Sequence, residues 1–254
     1  MMNTLFDAHF HIIDPAFPLI PNNGFMPEAF TVQMYQKEAK QYNITGGVIV
    51  SGSFQSFDYG YMLHAFKQLG PNYVGVINLP ETASNDEILR LYSKGVKGVR
   101  FNLFRGGSET VDRLINFAKR INELCGMHIE LYISGEQLVE YFDLLLQLPK
   151  FSIDHLGLTK IGEKQLLKLV EKGASVKATG FMRVDFDPLS RMKTIYAINP
   201  DALMFGTDFP GTRASRLFDI SDLQLIQNNF SDADSQKILA NNALKFYGLC
   251  ESVP

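Results

Sequence analysis

The sequence predicts a single (β/α)8 barrel spanning residues 1–254, and three observations predict it. Short β-branched or aromatic runs recur eight times; segments with apolar residues at three- and four-residue spacing separate them; and 254 residues is the usual size of such a barrel. Strict alternation of strand and helix builds a parallel sheet. A closed barrel fits better than an open doubly wound sheet, because no GxGxxG or GxxxxGK[ST] follows the first strand.

The first strand is Thr4–His11. Its Asp7, His9 and His11 are spaced by two and are expected on the interior side, with Phe6, Ala8, Phe10 and Ile12 toward the helices. Ile12–Met26 follows, crowded with Pro15, Pro18, Pro21, Asn22, Asn23 and Gly24. A loop of this length after a strand lies on the C-terminal face of a barrel and reads as a substrate lid. Helical periodicity then covers Pro27–Tyr42, before a β-branched second strand at Gly47–Ser51. The helical segment Phe57–Leu69, whose His64 reads as surface or helix packing, leads to a third strand, Tyr73–Asn78. The same alternation gives a helix at Asn85–Lys94 and a strand at Val96–Leu103, then a helix at Ser108–Cys125 and a strand at His128–Ile133. Glu136–Leu148 is the next helix, and the sixth strand, Phe151–His155, ends in an imidazole. A helix at Gly162–Lys172 and a strand at Ser175–Gly180 come next. The helix Pro188–Ile198 precedes the eighth strand, Leu203–Asp208, which ends in a carboxylate followed by Phe209 and Pro210. Ser231–Tyr247 closes the chain as a helix.

Charge and cysteine content narrow the function. With 24 basic against 27 acidic residues, a net charge of -3 and no long Lys/Arg run, there is no electrostatic footprint for nucleic acid or an anionic membrane, and a small molecule is the expected partner. Apolar stretches such as Leu144–Leu148 fall far short of the roughly 20 residues of a membrane span. Cys125 and Cys250 form neither a CxxC pair nor a disulfide framework. Met1–Thr4 carries no basic and apolar leader, so a reducing cytoplasm is expected.

His9, His11, His155 and Asp208 gather at the strand ends where barrel enzymes carry their chemistry. Imidazoles and carboxylates buried there must be hydrogen-bonded or bind a ligand to offset desolvation.

The motifs Asp7-Ala8-His9-Phe10-His11, Gly98-Val-Arg-Phe-Asn102, Ile153-Asp-His-Leu-Gly157, Val176-Lys-Ala-Thr179 and Gly206-Thr-Asp-Phe-Pro210 occur in this order along nearly the whole chain. In that order the sequence resembles the amidohydrolase superfamily, and within it the amidohydrolase-2 type group of 2-pyrone-4,6-dicarboxylate and related sugar-acid lactonases. The resemblance implies hydrolysis of a lactone, with His9, His11, His155 and Asp208 as the catalytic group. Asp208 would activate water, and the imidazoles would donate hydrogen bonds to the developing oxyanion. Partial desolvation is expected to raise the Asp208 pKa toward a useful base.

Binuclear members of that superfamily carry metal ligands where this chain has Arg100 and Tyr132. No cofactor is therefore the favoured expectation, while a mononuclear zinc site on His9, His11 and Asp208 stays open. By the same resemblance Arg100 and Arg183 bind a substrate carboxylate. Strand position makes Tyr132 and Ser51 further contact candidates and pairs the inward-facing Lys177 with Glu130, and Phe25, Leu158 and Lys177 complete the expected contacts. Phe25 replaces a tyrosine of the resembled enzyme, while Gly106 and Leu158 replace arginines. Arg105 stands beside the first of these, and the implied substrate is less anionic: a monocarboxylated or sugar-acid lactone. A zinc-dependent hydrolase or decarboxylase on the same scaffold is the alternative, and a catalytically silent barrel binding a small acid is the alternative of another class.

Overall fold

Eight β-rich runs pair in chain order into one parallel sheet: β1 (Leu5–Phe10), β2 (Ile44–Val50), β3 (Tyr73–Ile77), β4 (Val96–Asn102), β5 (His128–Tyr132), β6 (Phe151–Ile153), β7 (Ser175–Ala178) and β8 (Leu203–Phe205). This computed structural model describes residues 5–249; Met1–Thr4 and Cys250 lie outside them. Helices α1 (Val32–Gln41), α2 (Gly60–Leu69), α3 (Asn85–Ser93), α4 (Leu114–Cys125), α5 (Gly135–Glu140), α6 (Phe142–Leu145), α7 (Glu163–Glu171) and α8 (Pro188–Ile198) cover the outside of the sheet. Three more, α9 (Ile220–Gln227), α10 (Asp232–Gln236) and α11 (Asn242–Tyr247), follow β8. The architecture is a (β/α)8 barrel.

Local chemistry moves several boundaries. The helix expected from Pro27 starts at Val32, because Phe30 first pairs with Ile13 and the Thr31 hydroxyl then accepts the Met34 N–H as an N-cap. Glu136–Leu148 divides at Tyr141 into α5 and α6, and α5 opens with a reciprocal Ser134/Gln137 capping box. A π-helical turn at Lys237–Asn241 interrupts the closing helix. Periodicity had not marked α9, and β2 starts three residues earlier than expected.

The first strand departs most from the expected pattern. Between Asp7 and Phe10, β1 takes three steps while β2 takes two, from Gly47 to Ile49, so one extra residue bulges out. Below the bulge Phe6 and Ala8 join Val48, Val50, Val74, Val76 and Met204 in the barrel interior, which Ala240, Ala243 and Tyr247 plug from the N-terminal end. Asp7 accordingly does not share the interior with His9 and His11. It is fully buried at the seam, accepting from Thr207 N (2.8 Å), Thr207 Oγ1 (2.7 Å), His9 N (3.2 Å) and the Tyr35 hydroxyl (3.3 Å). A strict period of two cannot anticipate an inserted residue.

Those bonds, with Asp208 N donating to His9 O (2.8 Å) and His11 N to Phe209 O (2.7 Å), join the two ends of the sheet. Gly206 makes the close approach possible: a Cβ there would stand 2.7 Å from the backbone N of His9. No helix among the described residues is long and apolar enough to cross a membrane.

Candidate active site

His9, His11, His155 and Asp208 are each placed at the C-terminal mouth by a backbone irregularity. The β1 bulge turns His9 and His11 inward together. His155 leaves β6 at φ 51° and begins a run of left-handed residues, Leu156, Gly157 and Leu158, while Asp208 leaves β8 at φ 62°. Left-handed backbone at non-glycine positions is costly and concentrates where function requires it. Gly180 completes the seat of His155, because a Cβ at that position would meet His155 Nδ1 at 2.5 Å.

These turns bring His9, His11, His155 and Asp208 together. The ring centroids of His11 and His155 lie 5.1 and 5.2 Å from that of His9. Asp208 Oδ1 is 3.9 Å from His9 Nε2 and 3.8 Å from His11 Nε2, and both Asp208 Oδ1 and His9 Nε2 are buried without a hydrogen-bond partner.

The tautomers follow from the partners. His11 Nδ1 lies 2.7 Å from Val50 O and His155 Nδ1 lies 3.3 Å from Thr179 O; a carbonyl oxygen only accepts, so both Nδ1 atoms carry hydrogen. In their neutral form these rings therefore turn Nε2 into the pocket as an acceptor. For His11 and His155 this departs from the expectation that the imidazoles donate to an oxyanion, since Nε2 of either ring can do so only in an imidazolium. Burial pulls the His155 pKa down to about 4 against the opposing charge of Asp208. Burial also lowers His9 well below its ordinary value, with Asp154 opposing and Lys177 adding.

Asp208 behaves opposite to expectation. Burial alone would raise its pKa, but the Arg183 guanidinium, with the neighbouring imidazoles, holds it far below the carboxylate range. Arg183 Nε donates to Asp208 Oδ2 at 2.6 Å, and Arg183 Nη2 to Thr212 O at 2.9 Å. Arg183 is thus committed first to Asp208.

Arg100 has partners of its own. Its Nη2 donates to Asp154 Oδ2 (2.8 Å) and its Nη1 to Ser51 O (2.7 Å), and its Nε lies 3.7 Å from Glu130 Oε1. Beneath it Lys177 donates to Glu130 Oε2 and lies 3.4 Å from His9 Nδ1, with Glu130 and Asp154 oxygens each 3.5 Å from the same nitrogen. Burial, reinforced by Asp154, raises Glu130, while His9 and Arg100 overcome burial to hold Asp154 low. Lys177 therefore lies under the site and away from the pocket wall. His128 lies deeper still, bonded to Lys97 O and packed on Phe246 and Tyr247.

The pocket above Asp208 has an empty volume of about 390 Å³, including open space at its mouth. Its wall includes His11, Phe25, Arg100, Tyr132, His155 and Arg183, and also Phe54, Asn102, Arg105 and Arg213. Ser51 does not reach it, since its hydroxyl bonds the Tyr61 hydroxyl at 2.8 Å. Leu158 lines an adjoining cleft, at the centre of a tight turn closed by Thr159 N donating to Gly157 O.

Asp154, Arg213 and the pocket-lining Phe54 escaped the sequence reading. Asp154 stands inside a recognised motif, but attention to the strand end favoured its neighbour His155. Arg213 lies in the loop after β8, where considering every cation on a C-terminal loop would have found it.

Comparison with known proteins agrees with the barrel fold. The amidohydrolase family profile matches residues 6–249. A 2-pyrone-4,6-dicarboxylate hydrolase of Comamonas testosteroni is 31% identical over 157 residues, covering 59% of this chain and 51% of that protein, so the match spans about half of that relative's length. A 4-sulfomuconolactone hydrolase of Rhizobium radiobacter is 25% identical over 272 residues, covering 96% of this chain and 89% of the relative. Among solved structures, a probable 2-pyrone-4,6-dicarboxylic acid hydrolase from Acinetobacter baumannii with citric acid bound superposes at a TM-score of 0.82. It is 24% identical, over 97% of this chain and 100% of that one, and shares the fold. With its profile matched over nearly all the described residues, the chain belongs to the amidohydrolase family of enzymes.

Proposed function

We propose that the protein hydrolyses the ring ester of a small carboxylated lactone, a monocarboxylated or sugar-acid lactone, with Asp208 as general base. The observation that carries this reading is the Asp208 carboxylate: Oδ1 is buried, unpartnered and open to the imidazole cluster, while Oδ2 is held by Arg183. The relatives from Comamonas and Rhizobium are named for a pyrone dicarboxylate and a sulfomuconolactone, and a pyrone and a muconolactone are both cyclic esters.

In this mechanism Oδ1 takes a proton from a water whose oxygen attacks the lactone carbonyl. The tetrahedral oxyanion collapses, the ring C–O bond breaks, and Asp208 returns the proton to the leaving alkoxide, giving a hydroxy acid. Bound to Arg183, Asp208 is ionised but weakly basic. Substrate binding that loosens the Arg183 contact raises the basicity of Asp208 at the moment of reaction.

The donor set also fits a divalent cation, which gives a second reading. His9, His11 and Asp208 offer ligand atoms within 4.8 Å of one another, and two of those atoms are orphaned. These three residues with one water would hold zinc, which supplies carbonyl polarisation and an acidified water when bound. Against it stand the Arg183 charge on the same carboxylate and the occupation of the β4 and β5 positions by Arg100 and Tyr132.

A pH-indicator screen of lactones with and without chelator, paired with elemental analysis, separates the readings. The expected outcome is turnover of a carboxylated lactone that survives chelation. Activity lost on chelation and restored by zinc assigns the electrophile to a metal, and no turnover of any lactone removes the reading.

A further inference from the structure

Four arginines line the pocket, and two already have carboxylate partners within the chain: Arg183 with Asp208 and Arg100 with Asp154. The cations left for a ligand are Arg105 in the loop after β4 and Arg213 in the loop after β8. Neither has a carboxylate within 4 Å among the described residues. Arg105 stands over the Phe104 ring at 5.1 Å and Arg213 over the Phe25 ring at 4.4 Å. Burial and then the Arg105 charge pull the Arg213 pKa down, with Tyr132 opposing them, so the two guanidiniums repel each other.

Their placement is specific. Asn22, in the long loop after β1, accepts from Arg213 Nη1 through Oδ1 (3.2 Å) and from Nη2 through its backbone oxygen, while its Nδ2 donates to Arg105 O at 3.1 Å. One asparagine thus ties three loops together at the point where two like charges face the same opening. Arg105 and Arg213 also line the adjoining cleft, whose wall includes Leu158, Phe104 and Met182.

We infer that Arg105 and Arg213, aligned by Asn22, form an anion clamp at the pocket mouth that selects ligands carrying a carboxylate on a short apolar arm, the arm lying against Leu158, Phe104 and Met182. For the substrate this rests on the lactonase reading, and it places the selected carboxylate away from the scissile ester. A guanidinium pair suits a carboxylate because it presents planar forks of donors to two oxygens.

The test is calorimetric titration with cyclopentylacetate, a ring acid that cannot be hydrolysed, against its neutral analogue cyclopentylacetamide. The wild type is expected to bind the acid about tenfold to a hundredfold more tightly than the amide. Arg105→Met and Arg213→Met should each remove most of that preference, and Arg213→Lys should restore part of it. Equal affinity for acid and amide overturns the clamp, as does an unchanged preference in both Met variants with native circular dichroism. Lactone turnover without acid preference removes the clamp alone; acid preference without lactone turnover supports the clamp and removes the lactonase reading.

Discussion

His155 shows how one buried side chain at the candidate site carries a stability cost. Its ordinary pKa is 6.5 and burial lowers it to about 4 in the folded protein, so as pH falls the unfolded chain takes the proton first. The stability associated with a neutral His155 is therefore complete above about pH 6.5 and is lost as pH falls toward 4. Denaturant unfolding at pH 7 and pH 4.5 should show a drop in stability about 2 to 3 kcal/mol smaller in His155→Gln than in the wild type. Equal drops would mean that the folded protein leaves His155 at its ordinary pKa. At this scale the residue types at the site were legible: the spacing of His9 and His11 and the strand-end positions of His155 and Asp208 pointed to them. Their protonation was not legible, because it depends on Arg183, Val50 O and Thr179 O, which are distant in sequence and adjacent only in the barrel.

Among the elements, the seam between β1 and the segment after β8 matters most, because it carries three of the four clustered groups, His9, His11 and Asp208. Asp7 collects four hydrogen bonds there while fully buried. Asp7→Ala strands those donors and is expected to cost about 2 to 4 kcal/mol of stability, more than truncating an exposed carboxylate would. Thermal or denaturant unfolding measures it, and a loss under about 1 kcal/mol would show that the seam does not depend on Asp7. The alternation of apolar and polar residues gave the strand but not its bulge, since the extra residue changes which side chains face inward without altering composition. The splitting of Glu136–Leu148 was likewise hidden, because both halves keep helical periodicity across the break at Tyr141.

Across the whole molecule, an apolar interior plugged by α11 supports a polar layer of Lys177, Glu130, His9, Asp154 and Arg100, and above it a pocket whose floor is Asp208 and whose mouth is cationic. Buried ion pairs of this kind are weak contributors to net stability, and their use here is to hold His9 and Arg100 in fixed orientations. The barrel was legible because eight repeats of one pattern reinforce each other. The charge of the mouth was not, since Arg213 belongs to no motif and acquires meaning only beside Arg105 and Asn22. Whether Asp208 moves the water's proton is decided by Asp208→Asn on a lactone the wild type turns over. Its kcat should fall about 10² to 10⁴-fold with binding of the hydroxy-acid product largely retained. A variant that folds and keeps near-normal kcat would contradict the account.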